Sequence, residues 1–157
     1  MISSKNVDIV YLIDATGSMG HEIFAAKENV TEIFKKLTES NKGYNFHFGA
    51  VFYRDKIDSP SDKNEYFEFT DNMEDLKEKI GTVKAKGGGD EAEDWVGGYE
   101  IALNDMKWRE NGIKLIIHIA DAGAHGKKFT NGDDHDDQEE LLPPKIEECV
   151  KRNMNII

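Results

Sequence analysis

Short runs of apolar and β-branched residues alternate along the chain with stretches in which apolar residues recur at helical spacing. Four such runs predict β-strands, and two of them are continuous enough in apolarity to be typical of buried strands in a parallel sheet. The runs cover 7–13, 46–53, 65–70 and 113–120. The third run alternates apolar with polar residues, which favours a position at the edge of the sheet.

Apolar residues three or four positions apart predict helices between these strands. Their stripes run from Ile23 to Leu37, from Met73 to Val83, from Trp95 to Met106 and from Leu142 to Cys149. Asp90 is expected to be the N-cap of the third helix, with Glu93 as its capping-box partner. Two prolines, 143 and 144, suit the first turn of the fourth helix.

Strands and helices that alternate in this way predict an α/β fold with a doubly wound, mostly parallel central sheet and helices on both faces. We expect residues 1–157 to form one domain. The final residues, 155–157, are typical of the start of another strand, so the domain is expected to lack its last strand and helix. In such sheets ligands bind beyond the carboxyl ends of the strands.

The charge of the chain narrows the range of partners. Lys and Arg number 20 and Asp and Glu number 31, which gives a formal net charge of −11. This balance disfavours nucleic acid and anionic membrane surfaces as partners. One cysteine, Cys149, excludes an internal disulfide, and no apolar run approaches the length of a membrane span. We therefore expect a cytoplasmic protein with no direct membrane insertion.

Oxygen-bearing side chains follow the two most apolar strands. Asp14, Thr16 and Ser18 stand at alternate positions in a strand-to-helix turn, and Asp121 ends the strand predicted at 113–120. Carboxylate and hydroxyl oxygens suit a hard cation, and Mg²⁺ in particular prefers about six oxygen ligands. Asp90, just after three glycines, is the expected further contributor.

This arrangement resembles the metal-ion-dependent adhesion site (MIDAS) of von Willebrand factor A (vWA) domains. The resemblance rests on Asp14-Ala15-Thr16-Gly17-Ser18, on the later glycine segment and on Asp121. Four further segments are similar to the A-type domains attached to alpha-type protein kinases: Tyr53-Arg54-Asp55, Gly87 to Asp94, Trp95 with Gly97-Gly98, and His118 to Gly126.

The resemblance implies a Rossmann-like fold and a divalent cation, Mg²⁺ with Mn²⁺ or Ca²⁺ as alternatives. It implies ligation by the hydroxyls of Thr16 and Ser18 and by Asp121, with Asp14 often acting through water. Asp90 stands where most A domains have threonine. A third carboxylate predicts tighter cation capture and weaker binding of an acidic partner group. His125 is expected at the rim of the site.

Several of these residues also have purely structural interpretations. Asp90 could act only as a helix cap, and His118 is expected to be packed within its strand. The loop Asp133-Asp134-His135-Asp136-Asp137 suggests a second metal, but it lacks the glycine and closing glutamate of an EF-hand. A solvated acidic loop is therefore favoured.

We expect a non-enzymatic, metal-dependent protein-binding module, a recruiting or localising part of a larger protein such as an alpha-kinase. The alternative is a phosphatase of the haloacid-dehalogenase type, with Asp14 as nucleophile. The motif resembles the Asp-Lys-Thr-Gly-Thr of some members of that family, although Ala15 replaces the lysine. A third hypothesis is a structural domain with a degenerate, empty site.

Overall fold

A computed structural model describes residues 5–55, 60–88 and 92–157. Asp90 lies outside these ranges. The strands are β1 (Lys5–Asp14), β2 (Tyr44–Tyr53), β3 (Glu65–Thr70), β4 (Ala92–Glu93), β5 (Ile113–Ile119), β6 (Gly123–Ala124) and β7 (Met154–Ile156). The helices are α1 (Gly20–Ser40), α2 (Met73–Ile80), α3 (Trp95–Asn104) and α4 (Leu142–Lys151). Short 3₁₀ turns lie at Gly17–Met19 and Asp136–Gln138.

The main sheet has the strand order β3-β2-β1-β5-β7, with β1 at its centre. Strand β1 pairs in parallel with β2 from Lys5 opposite Tyr44 to Asp14 opposite Tyr53, and with β5 on its other side. Strand β3 is antiparallel and lies at an edge. The doubly wound, mostly parallel α/β sheet predicted from the sequence is therefore confirmed, including its edge strand.

Strand β1 is buried on both faces of the sheet. Ile9, Tyr11 and Ile13 belong to the core under α1 and α2, whereas Val10 and Leu12 belong to the core under α3 and α4. This two-sided burial explains why the run is almost continuously apolar. It also makes the carboxyl end of β1 a firmly held base for the turn that follows.

Helix α3 begins four residues later than a cap at Asp90 would require. Its N-cap is Asp94, whose Oδ1 accepts a hydrogen bond from the Gly97 amide at 2.8 Å. The predicted capping box at Asp90 is wrong, because Glu93 lies in β4, which pairs in parallel with β6. The two prolines of α4 lie in its first turn, as predicted.

The amino end of the sheet is held by a buried ion pair. Asp8 is 2% exposed, and its Oδ1 accepts from Nε of Arg109 at 2.7 Å. The same guanidinium donates to the carbonyls of Val7 and Asn45, so it joins β1 to β2. Within the described residues, no helix is both long and apolar enough to cross a membrane.

Candidate metal centre

Asp14 ends β1 and is fully buried. Its Oδ1 accepts hydrogen bonds from the amide of Thr16 at 2.8 Å and from the hydroxyl of Thr16 at 2.6 Å. Its Oδ2 has no hydrogen-bond partner among the residues that the structure describes. A buried carboxylate oxygen without a partner is costly, so this atom is a natural ligand or water acceptor for a cation.

Burial raises the pKa of Asp14, the two hydrogen bonds from Thr16 lower it, and the charges of Asp121 and Asp55 raise it further. The net effect is a pKa above the ordinary value of 3.8. The protein therefore disfavours the negative charge of Asp14 unless a positive charge is supplied nearby.

Thr16 and Ser18 follow Asp14 in the same turn. Thr16 is 2% exposed, and its hydroxyl donates a hydrogen bond to Asp14, which leaves the lone pairs of that hydroxyl for another group. Ser18 is exposed and lines an open cleft of about 500 Å³ together with Asp121 and Glu93. The remaining lining comes from 122–123 and 129–131.

A second loop, residues 84–88, packs against this turn. The amide of Lys86 donates to the carbonyl of Ala15 at 3.0 Å, and the amide of Gly17 donates to the carbonyl of Gly87 at 3.1 Å. Gly88 has a φ of +88°, and a Cβ there would lie 3.2 Å from Oε1 of Glu93. Gly87 and Gly88, the described part of the glycine segment, thus border the turn after β1.

Glu93 is a carboxylate of this site that the sequence analysis treated only as a capping partner. It is 4% exposed, lies in β4 and lines the cleft. Burial raises the pKa of Tyr53, and the charges of Asp14, Glu93, Tyr99 and Asp121 raise it further. Three carboxylates therefore converge near one buried tyrosine. A two-residue strand has no periodicity, so no sequence signal placed Glu93 here.

Of the predicted ligands, Asp14, Thr16, Ser18 and Asp121 are brought to the carboxyl edge of β1 and β5. Asp121 is exposed and follows β5 by two residues. Asp90, the fifth predicted ligand, lies outside the described residues, and its metal role stays a prediction.

His118 is packed within β5, as predicted. Its Nε2 lies 2.8 Å from the Tyr53 hydroxyl and its Nδ1 lies 3.1 Å from the Tyr99 hydroxyl. The Trp95 ring packs edge-on against the imidazole with centroids 4.4 Å apart. Burial lowers the pKa of His118 to about 4. This histidine is a neutral structural group at neutral pH.

His125 does not lie at the exposed rim where it was expected. It is 3% exposed and contacts the carboxylates of Asp55 and Asp133. The favoured interpretation of 133–137 as a solvated loop is also wrong for Asp133, which is 5% exposed. The chain turns back on itself between 126 and 133, so this carboxylate accepts a hydrogen bond from the Gly126 amide and is buried.

The family model for the von Willebrand factor A domain matches residues 8–132. The chain belongs to the von Willebrand factor A domain family. Over 127 residues this A domain is 32% identical to the alpha-protein kinase vwkA of Dictyostelium discoideum, covering 81% of this chain and 20% of the kinase. It is 31% identical over 121 residues to the ariadne-like RING finger protein R811 of Acanthamoeba polyphaga mimivirus, covering 77% of this chain and 11% of that protein. The chain thus spans a fifth or less of these relatives.

Solved structures share the fold of the A domain. Proximal thread matrix protein 1 from the mussel byssus superposes with a TM-score of 0.61 at 18% identity, covering 99% of this chain and 36% of that one. A structure of the same mussel protein with a zinc-occupied MIDAS motif gives a TM-score of 0.59 at 20% identity, covering 99% and 35%. The pilus adhesin SpaC from Lactobacillus rhamnosus GG gives 0.55 at 17% identity, covering 76% and 15%.

Proposed function

We propose that this A domain is a metal-dependent protein-binding module and that its cation is Mg²⁺. The hydroxyls of Thr16 and Ser18 and the carboxylate of Asp121 would hold the ion, with Asp14 behind them. One observation carries the proposal: Oδ2 of Asp14 is buried without a partner among the described residues, in the same turn as Thr16 and as Ser18, which lines the cleft.

The donor set fits a hard cation. All of these ligands are oxygens, which Mg²⁺, Mn²⁺ and Ca²⁺ share as a preference. Bound, the ion would supply a positive charge to the buried carboxylate and an open coordination position for an oxygen of the partner. The side chains of the A domain would position the ligands: Asp14 orients the Thr16 hydroxyl through a hydrogen bond, and Ser18 lines the cleft.

The charge around the cleft favours one kind of partner chemistry. Asp14, Glu93 and Asp121 contribute three carboxylates where one dication neutralises two. A further carboxylate from a partner would enter a site that is already negative. We therefore propose a partner that presents a neutral oxygen, such as a carbonyl or hydroxyl, with basic groups around it.

The relatives support a recruiting role within a larger protein. The similar protein vwkA is an alpha-protein kinase, of which this chain matches about a fifth. In this proposal the A domain does not catalyse a reaction itself but brings the larger protein to its partner. The proposal includes an alpha-kinase region in that larger protein.

Titration calorimetry with MgCl₂ tests the cation site. Wild type is expected to bind one Mg²⁺, and Ser18→Ala is expected to bind it at least about tenfold more weakly, because one ligand is replaced by water. Ser40→Ala, an exposed serine at the far end of α1, is the matched control and keeps wild-type affinity. Equal affinity in both variants, or no heat with wild type, would refute the proposed site.

A further inference from the structure

A second cluster of potential metal ligands lies in the loop between β6 and α4. His125, Asp133 and His135 each offer one ligand atom, and these atoms lie within 4.8 Å of one another. His125 and Asp133 are buried, and the His135 side chain is 26% exposed. None of the three lines the cleft described above.

The two oxygens of Asp133 have different roles. Oδ2 accepts hydrogen bonds from the amide of Gly126 at 2.6 Å and from the amide of His135 at 3.0 Å. These bonds fix the carboxylate and turn Oδ1 toward His125, 3.0 Å from its Nδ1. Oδ1 is thereby held in a fixed position beside the imidazole of His125, as a metal ligand should be.

The two nitrogens of His125 also face different groups. Nδ1 lies 3.0 Å from Oδ1 of Asp133, and Nε2 lies 3.2 Å from Oδ1 of Asp55, two residues after β2. Asp55 is fully buried. A histidine that binds metal through one ring nitrogen usually donates its other N–H to a carboxylate, which orients the ring and increases its basicity. Asp55 is placed to accept that bond.

His135 completes the group from the other side. Its ring packs nearly perpendicular to that of His125, with centroids 4.8 Å apart and an interplanar angle of 88°. His135 stands two residues after Asp133 in the same loop, and its side chain is partly exposed, so a shift of its ring does not require a strand to move.

We propose that His125, Asp133 and His135 form a zinc site, separate from the cleft, with water as the fourth ligand. Two imidazoles and one carboxylate are a typical donor set for Zn²⁺, whereas Mg²⁺ and Ca²⁺ prefer oxygen ligands alone. The ion would bind Nδ1 of His125 and Oδ1 of Asp133, and Asp55 would hold the other side of the His125 ring.

The distances require only a small closure. Bonds of about 2.0–2.1 Å at tetrahedral angles place ligand atoms about 3.3–3.4 Å apart. Nδ1 of His125 and Oδ1 of Asp133 are already 3.0 Å apart. The largest separation in the cluster, 4.8 Å, would have to shorten by about 1.4 Å. In the proposed site, movement of the His135 ring would supply this shortening.

Zinc here would fasten one wall of the cleft. The loop that carries His125, Asp133 and His135 also contributes Phe129, Thr130 and Asn131 to the cleft lining. Through Asp55, the ion would connect this loop to the end of β2, 70 residues earlier in the chain. The proposed site thus supports the wall mechanically without contributing to the Mg²⁺ ligands.

The test measures zinc binding to the Asp14→Asn protein by calorimetry and metal analysis. This substitution is expected to abolish cation binding at the cleft, so that only the second site is measured. One Zn²⁺ per chain is expected. His135→Gln in the same background is expected to lower the zinc affinity by about 100-fold. Loss of a residue that only hydrogen-bonds a ligand costs about 10–100-fold, and loss of a direct ligand should cost at least as much as the upper value. His47→Gln, a histidine in β2 outside the cluster, is the matched control and retains full affinity.

Two further measurements keep the proposal open to refutation whatever the stability of the variants. Co²⁺ bound in place of Zn²⁺ is expected to give the intense visible absorption of a four-coordinate ion, and Asp55→Asn is expected to weaken zinc about tenfold. Absence of zinc binding in the Asp14→Asn protein, a six-coordinate cobalt spectrum, or equal affinity in His135→Gln and His47→Gln would each overturn it. Loss of Mg²⁺ binding alone bears only on the cleft.

Discussion

Replacing Asp14 by asparagine is expected to have opposite effects on stability with and without cation. The substitution keeps the size of the side chain and an oxygen that can accept both hydrogen bonds from Thr16. It removes a buried carboxylate, and burial already raises the pKa of this carboxyl group. In metal-free buffer at neutral pH we therefore expect the variant to be as stable as wild type or more stable.

With Mg²⁺ present the order should reverse. A ligand that binds only the folded state at 100 times its Kd stabilises it by about 2.7 kcal/mol. For a chain of this size, 1 kcal/mol corresponds to a shift in Tm of about 2–4 °C, so wild type should gain about 5–11 °C. The variant lacks the carboxylate that the ion neutralises and should gain little.

The assay is thermal unfolding followed by circular dichroism, with EDTA and with saturating MgCl₂. Asp71→Asn is the control, because Asp71 is exposed and directly follows β3, the antiparallel outermost strand of the sheet, and does not line the cleft. It removes one charge without touching the cleft and should keep the full Mg²⁺-dependent gain. The reasoning fails if Asp14→Asn gains as much as wild type, or if it is much less stable in EDTA.

Four further results are expected. Arg109→Ala should cost about 3 kcal/mol in urea unfolding, because Asp8 would remain buried without its charged partner; a loss below 1 kcal/mol would contradict this. Gly98→Ala should lower the urea midpoint despite better helix propensity, since its Cβ would lie 2.8 Å from the Tyr53 ring. The pKa of His118 is about 4 when folded and 6.5 otherwise, so the unfolded chain binds more protons between these values. Stability should fall by up to about 3 kcal/mol as pH drops through that range, and His118→Gln should flatten the dependence. Incubation with a phosphate ester should give no phosphate burst; a burst that Asp14→Asn abolishes would favour the dehalogenase-type phosphatase instead.

The sequence predicted the elements that long-range packing reinforces. The apolar run of β1, the stripe of α1 and the aspartates after β1 and β5 follow from patterns of several residues. The parallel order of the sheet then places Asp14 and Asp121 at one edge. Such reasoning succeeds because burial on two faces demands the same residue types along the whole strand.

The residues that were missed depend on short elements and loop closure. Glu93 is carried by a two-residue strand, and the cap of α3 moved from Asp90 to Asp94 because that strand comes first. His125 reaches Asp133 across a turn and Asp55 across 70 residues. Neither contact leaves a periodic pattern, so charge and spacing alone indicated a solvated loop.

The backbone bonds between 15–17 and 86–87 have a consequence for the timing of local opening. Two loops far apart in sequence share a ladder, so neither can detach without releasing the amide protons of both. In hydrogen–deuterium exchange, the amides of Gly17 and Lys86 should therefore show the same protection factor. The turn after β1 and the segment around Lys86 and Gly87 would then open and close together as one cooperative unit.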